Sequence, residues 1–273
     1  MAEPAVLPFI DFVNRATPGF VLILARCIGL TLQAPVFGSR VIPAMGRMAF
    51  AMALALIYWT SLPSVPQAPD HFLAFTILVI SELVFGMALG FAGAIVHFAI
   101  QGAGDFIAQA IGLTMISTMN PMIRTNSTPT GQIFYYLALT VFCLGGGHLL
   151  YLGGFFQSFE LVPVGGFRVT PALWGVILQV TGALLGIVVQ MSMPAVIVVL
   201  LIDVGLGVLN RSTPQAQNLL DFVQTIKPGI GLLIVSLMIP NVVASVHDLS
   251  AQMITDVQRV IVAQTQHIRP AKR

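Results

Sequence analysis

The chain has 273 residues, of which 57% are hydrophobic and 8% are charged, with a formal net charge of +2. Its mean hydropathy is +0.93, and so few polar residues could not cover the surface of a soluble globule of this size. The composition therefore excludes a soluble globular protein and predicts an integral membrane protein.

The first apolar run is expected to stay in the mature protein. Residues Met1 to Asn14 include Glu3 and Asp11 but no basic residue, so this segment lacks the positively charged start of a secretory signal peptide. Cys27 and Cys143 both lie inside apolar windows, which is typical of buried, reduced thiols rather than of a disulfide.

Apolar windows follow one another along the chain at residues 21–35, 44–62, 72–100, 133–152, 173–209 and 230–246. A bilayer core of about 30 Å requires about 20 helical residues. We therefore predict an all-α membrane protein with five to seven helices. The windows 72–100 and 173–209 are each long enough for a tilted span, a hairpin, or a span followed by an interfacial helix, and Pro194 is a candidate kink in the second.

Four charged residues, Arg26, Glu82, Asp105 and Asp203, lie inside or beside these apolar windows. A charge at the centre of a bilayer costs about 2.5 to 3.5 kcal/mol, so each of them must face protein, water or a partner. One interpretation is a proton relay or an ion path. We favour the other, a structural role, either as a pair such as Arg26 with Glu82 or as a contact with another subunit.

Glu82, Gly86 and Gly90 recur at four-residue spacing on one helical face. Small residues at this spacing allow another helix to approach closely. We expect this face to form a seam between subunits rather than a catalytic site.

The sequence contains no recognisable enzyme signature. It has no serine nucleophile elbow, no His-Glu-x-x-His zinc motif, and no lysine after its glycine clusters that would bind phosphate. We therefore predict a protein that is not an enzyme and that uses no metal ion and no cofactor, which leaves transport or assembly as its function.

The chain resembles the FliR family, the membrane component of the flagellar type III export gate. The resemblance covers nearly the whole chain, in order and with spacing kept, and the virulence injectisome proteins called SctT share much of it. It rests on these motifs: Leu24-Ala25-Arg26, Ala34-Pro35, Arg40, Ile42-Pro43, Leu62-Pro63, the run from Glu82 to Phe91, Gly104-Asp105-Phe106-Ile107, Gly147-His148-Leu149, the run from Gly205 to Arg211, and Pro214-Gln215.

The resemblance implies that one copy of the chain joins FliP-like and FliQ-like subunits in a ring of tilted helices. Residues 1–172 would form a FliP-like half that includes a plug loop, and residues 173–273 a FliQ-like hairpin with a C-terminal tail. The complex would conduct unfolded flagellar proteins across the bacterial inner membrane, at the flagellar basal body, and would contact lipid and an FlhB-like switch protein. Nucleic acid is not an expected partner.

Two sets of site residues follow from the resemblance. The pore plug would lie between Ala110 and Asn126, where flexible methionines could close a constriction, although without the resemblance ordinary helix packing is the favoured explanation of these methionines. Its residues would be Ile111, Met115, Ile116, Met119, Met122 and Ile123. The subunit interface would include Arg26, Glu82, Gly86, Gly90, Asp105, Asp203, Arg211, Pro214 and Gln215.

Two alternatives to a flagellar export gate remain open at this point. An injectisome gate would share the same plan. A proton-coupled secondary transporter would account for the acids within the apolar windows, but residues 1–135 and 136–273 do not have the matching polar breaks that an inverted repeat would give.

Overall fold

A computed structural model describes residues 6–38, 42–62, 69, 71–113, 127–168, 170–212 and 217–268. Within these ranges the chain forms seven helices and no strand. This confirms the predicted all-α fold, and seven helices is the upper limit of the predicted five to seven. The helices are α1 (Val6–Gln33), α2 (Ala44–Ser61), α3 (Phe72–Ala110), α4 (Pro129–Leu144), α5 (Gly147–Leu161), α6 (Pro171–Ser212) and α7 (Gln217–Ile268).

The described residues include four stretches that are long and apolar enough to cross a membrane: Ala16–Gln33, Phe72–Ala110, Pro171–Val208 and Thr225–Gln264. The pair α4 and α5 adds a fifth if the two are counted as one span. Only 22% of the tested window in α3, and the same share in α6, is buried within the chain. Most residues of these two windows are therefore at least partly exposed at the surface of the chain.

The two longest apolar windows form single helices. The window 72–100 lies within the 39 residues of α3, and the window 173–209 lies within the 42 residues of α6, which continues through Pro194. Each helix is about 60 Å long at 1.5 Å per residue, roughly twice the thickness of a bilayer core. Of the three interpretations left open for these windows, neither the hairpin nor the interfacial helix is found.

The window 133–152, in contrast, is divided between two helices. Helix α4 ends at Leu144 and α5 begins at Gly147, with a bend of 75° between them. The turn depends on Gly146, whose φ of 71° is in the left-handed region that favours glycine. Helix α4 begins at a conventional N-cap, because the Thr128 hydroxyl accepts a hydrogen bond from the Gly131 N–H at 3.1 Å.

The chain divides into two compact units. Unit 1 consists of Met1–Ala94, Gly147–Val180 and Gln252–Arg273, and unit 2 consists of Ile95–Gly146 and Thr181–Ala251. Each has its own buried apolar residues, among them Leu22, Leu30, Leu54, Phe85 and Phe155 in unit 1, and Ile100, Ile107, Phe134 and Phe142 in unit 2.

Helices α1 and α3 of unit 1 pack with their backbones in contact. A Cβ atom placed on Gly86 would collide with the carbonyl oxygen of Arg26 and would lie 2.9 Å from the backbone nitrogen of Leu30. The face marked by Gly86 and Gly90 in the sequence is therefore occupied by another helix of the same chain. This close crossing brings Arg26 of α1 opposite the start of the glycine-spaced face of α3.

We expect Gly86→Ala to lower the free energy of unfolding by about 2 kcal/mol, because an added methyl group must displace backbone rather than a flexible side chain. Gly182→Ala in α6 is the matched control, since a Cβ atom there meets nothing within 4 Å. Thermal unfolding of both variants in detergent measures the difference. Equal melting temperatures would show that α1 and α3 do not pack as closely as described.

Candidate functional site

The best-defined polar site of the chain is a buried ion pair between α1 and α3 of unit 1. Arg26 Nε donates to Glu82 Oε2 at 2.6 Å, and Arg26 Nη2 donates to Glu82 Oε1 at 3.1 Å. Both side chains are fully buried, with 0% of their surface exposed. The planar guanidinium thus binds the carboxylate through two parallel hydrogen bonds, the strongest geometry for such a pair.

The remaining hydrogen-bonding groups of the pair are used by α5 and the segment that follows it. Arg26 Nη1 donates to the carbonyl oxygens of Ser158 at 3.3 Å and Val162 at 3.0 Å. The N–H of Gly165 donates to Glu82 Oε1 at 2.7 Å. Gly165 has a φ of 82°, which a larger residue would adopt only with strain, and this conformation directs its N–H at the carboxylate.

Aromatic rings enclose the guanidinium. Its central carbon lies 4.8 Å from the ring centroid of Phe85 and 4.2 Å from that of Phe159, within the range of cation–π attraction. Phe85 in turn stacks on Phe167 at 4.9 Å between centroids. The site therefore joins α1, α3, α5 and residues 162–167, and it contains no open position for a substrate or an ion.

The structural interpretation of Arg26 and Glu82 is confirmed, since the two residues pair with each other. The sequence also suggested a subunit interface for these residues and for Gly86 and Gly90. All four lie between helices of this one chain, and their assignment to a subunit interface stays a prediction.

Asp105 anchors the start of α4 in unit 2. Its Oδ1 accepts hydrogen bonds from the N–H of Thr128 at 2.7 Å and from the Thr128 hydroxyl at 2.6 Å. Helices α3 and α4 are in close contact here, because a Cβ atom on Gly104 would lie 2.8 Å from the Cα of Gly131. Asp105 thus fixes the residues directly after the predicted plug segment.

The structure describes only the beginning of that segment. Ile111 is buried, and its side chain occupies the space that a Cβ atom on Gly231 of α7 would need. The other predicted plug residues lie outside the described residues; they are Met115, Ile116, Met119, Met122 and Ile123. The segment therefore begins with an apolar contact at Ile111 and is followed by the polar contact at Thr128.

Asp203 forms an ion pair within unit 2. Lys227 Nζ lies 2.7 Å from Asp203 Oδ1 and 2.9 Å from Oδ2, and 42% of the Asp203 side chain is exposed. The pair joins α6 to α7. Arg211 is exposed in the last turn of α6, whereas Pro214 and Gln215 lie outside the described residues.

Several groups that form these sites were not identified from the sequence. The carbonyl groups of Ser158 and Val162 act through the backbone, so their side chains do not identify them. The buried stripe at the end of α7 could have been found, since Met253, Val257 and Ile261 recur at helical spacing. The described residues contain no group of three His, Cys, Asp or Glu side chains that could bind a metal ion.

Comparison with known proteins gives a family match. The family described as bacterial export proteins, family 1, matches residues 17–253. The flagellar biosynthetic protein FliR of Bacillus subtilis strain 168 is 29% identical over 205 residues, which cover 72% of this chain and 77% of that protein. FliR of Escherichia coli K12 is 26% identical over 211 residues, covering 77% and 80%.

A third relative is named for the translocation of Yop proteins. Yop proteins translocation protein T of Yersinia pestis is 24% identical over 227 residues, which cover 82% of this chain and 87% of that protein. The family match includes Arg26, Glu82 and Gly165, but it ends within α7.

We expect Glu82→Ala to destabilise the chain by about 3 to 5 kcal/mol, because it leaves the buried Arg26 guanidinium without its counter-charge. The Arg26→Ala, Glu82→Ala double variant should be less unstable than the sum of the two single variants by about 2 to 3 kcal/mol. Denaturant or thermal unfolding in detergent measures these values. Glu160→Ala in α5 is the control, since Glu160 is exposed; a loss of stability as large as that of Glu82→Ala would contradict the buried-pair account.

Proposed function

The chain belongs to the bacterial export proteins, family 1, and on this premise we propose that it is a membrane subunit of the flagellar type III secretion export gate, with no enzymatic activity. The observation that carries the proposal is the match over residues 17–253, together with FliR relatives that align with more than 70% of the chain. The location we propose is the bacterial inner membrane, at the flagellar basal body.

The exposed surface supports a role inside a larger assembly. Helix α6 exposes Leu185, Leu200, Leu201, Val204 and Val208, each by more than half of its surface. A Cβ atom on Gly182, Gly186, Gly205 or Gly207 of the same helix meets nothing within 4 Å. Apolar helix surface with unfilled space above its glycines suits close packing against another membrane helix.

We propose FliP-like and FliQ-like subunits as the neighbours, with α6 and α7 as the FliQ-like hairpin. The helical break between Ser212 and Gln217, and the Asp203–Lys227 pair that joins the two helices, are consistent with such a hairpin. The division at residues 172 and 173 into two halves stays a prediction. Arg211 is exposed beside the break, and we propose it as a contact for an FlhB-like switch protein.

The flagellar system is favoured over an injectisome by the relatives. The FliR proteins of Bacillus subtilis and Escherichia coli are 29% and 26% identical to the chain, whereas the Yersinia translocation protein is 24% identical and two other FliR relatives are 24% and 22% identical. Export of unfolded flagellar proteins is therefore proposed as the transport activity.

Co-expression with FliP-like and FliQ-like proteins of a flagellar system should yield a complex that survives purification in detergent. Within it, Arg211→Lys should reduce recovery of the FlhB-like protein nearly as much as Arg211→Ala, because an ammonium lacks the planar fork of the guanidinium. Equal recovery from all three forms would show that Arg211 is a solvated charge. A chain that stays alone and binds a small solute would instead support the secondary transporter.

The proposed plug can be tested by ion leakage. Replacing Met115, Met119 and Met122 by alanine should raise the resting membrane conductance of cells that contain the complex, because smaller side chains leave the constriction unfilled. The matched control replaces Met45, Met48 and Met52, which are exposed on α2. Both variants should assemble normally. If only the control variant leaked ions, or if neither variant did in an intact complex, the plug would not lie in residues 110–126.

A further inference from the structure

The last described turns of α7 have a buried stripe, as the upstream turns do at Val235, Met238, Val242 and Val246. Gln258, Arg259 and Val262 are exposed, whereas one face of the same turns is buried. The buried residues recur at intervals of three and four and are Met253, Asp256, Val257, Val260, Ile261, Ala263 and Gln264. Such a stripe is the pattern of an amphipathic helix packed on a protein core.

This stripe packs on two neighbouring parts of unit 1. A Cβ atom on Gly154 of α5 would lie 3.7 Å from Val257 Cγ1, so Val257 is in van der Waals range of α5. The N–H of Arg168 donates to Gln264 Oε1 at 3.5 Å, which places Gln264 against the segment between α5 and α6. The buried acid of the stripe, Asp256, is neutralised by Arg259 at 3.1 Å.

The segment that Gln264 contacts is the one that completes the buried ion pair. Val162 O accepts from Arg26, the N–H of Gly165 donates to Glu82, and Phe167 stacks on Phe85. Residues 162–168 are therefore held on one side by the charged pair and contacted again at Arg168 by the end of α7.

We propose that residues 253–264 are an intramolecular strap that holds α5 and residues 162–168 in the position where they close the Arg26–Glu82 pair. The strap lies downstream of every other segment of unit 1, so the unit is not complete until α7 has been synthesised through Gln264. Most of the strap also lies beyond residue 253, where the family match ends. The proposal concerns the chain itself and does not depend on its role in export.

Two reporters are already present in the chain. Cys27 is next to Arg26 and fully buried, so its reaction with a membrane-permeant maleimide reports opening of the pair. Arg168 is exposed within the segment that the strap contacts, so tryptic cleavage after it reports release of that segment. Cys143→Ser gives a background in which Cys27 is the only thiol, since the sequence has 2 cysteines.

In that background, on the purified full chain, Ile261→Ala should raise both rates by at least about tenfold, because it removes buried contacts and lowers the cost of local opening. Val262→Ala is the matched control: it is the neighbouring β-branched residue, but 48% of its surface is exposed, compared with 1% for Ile261. Its rates should stay within about twofold of the parent. Ile261→Val should restore most of the protection.

Gln264→Ala, compared with the exposed Gln258→Ala, provides a milder second pair. Loss of the hydrogen bond between the Arg168 N–H and Gln264 should increase the rate of cleavage after Arg168 by about fivefold. The rate of Cys27 labelling should increase by less. If Ile261→Ala aggregates, this second pair decides the question. Rates for Ile261→Ala and Gln264→Ala that match their controls would overturn the strap. Because no partner subunit takes part, that result would leave the export proposal unaffected.

Discussion

The buried pair of Arg26 and Glu82 is the interaction on which unit 1 depends. Removing two charges from water costs several kcal/mol for each ion, and their mutual attraction repays this only when every remaining donor and acceptor is also satisfied. Here Arg26 binds two carbonyl groups as well as the carboxylate, and Glu82 also accepts from Gly165. Four parts of the chain must therefore take their positions together.

The pair also explains the glycine spacing of α3. The guanidinium can reach the carboxylate with two short bonds only if the backbones of α1 and α3 come close, and Gly86 is where that approach is closest. Glycines of α6 also recur at short intervals, but a Cβ atom placed on any of Gly182, Gly186, Gly205 and Gly207 would meet no atom within 4 Å. One sequence pattern thus serves an internal helix contact in unit 1 and an unfilled surface on α6.

The two roles of this glycine pattern show which parts of the structure the sequence could predict. Composition predicts the membrane class, and the apolar windows predict the helices, because both depend on local hydrophobicity. The glycine face of α3 was predicted as a contact surface, but its partner was expected in another subunit rather than in α1. Periodicity tells which face of a helix packs closely and says nothing about which chain supplies the neighbour.

The site was predictable only where side-chain chemistry made it so. A buried arginine needs an acid, so Arg26 with Glu82 could be suggested from two charges in apolar windows. The carbonyl groups of Ser158 and Val162 could not, because every residue has one. For the proposed plug, the described contacts are those of Ile111 at its beginning and of Thr128 directly after its end.

The order of segments in unit 1 adds a constraint that hydropathy does not contain. Arg26 and the carbonyl group of Val162 are 136 residues apart, so closing the pair requires ordering a long intervening chain that includes the Ile95–Gly146 segment of unit 2. Contacts at such separation form only after the local helices exist to present them. A buried stripe at residues 253–264 then stabilises the closed arrangement from the downstream side. The charged pair alone would have to hold residues 162–168 against the entropy of an open loop. When the strap is packed, apolar burial also offsets the entropy lost on ordering this segment. Apolar burial requires no matching of charges and tolerates small shifts of the helices.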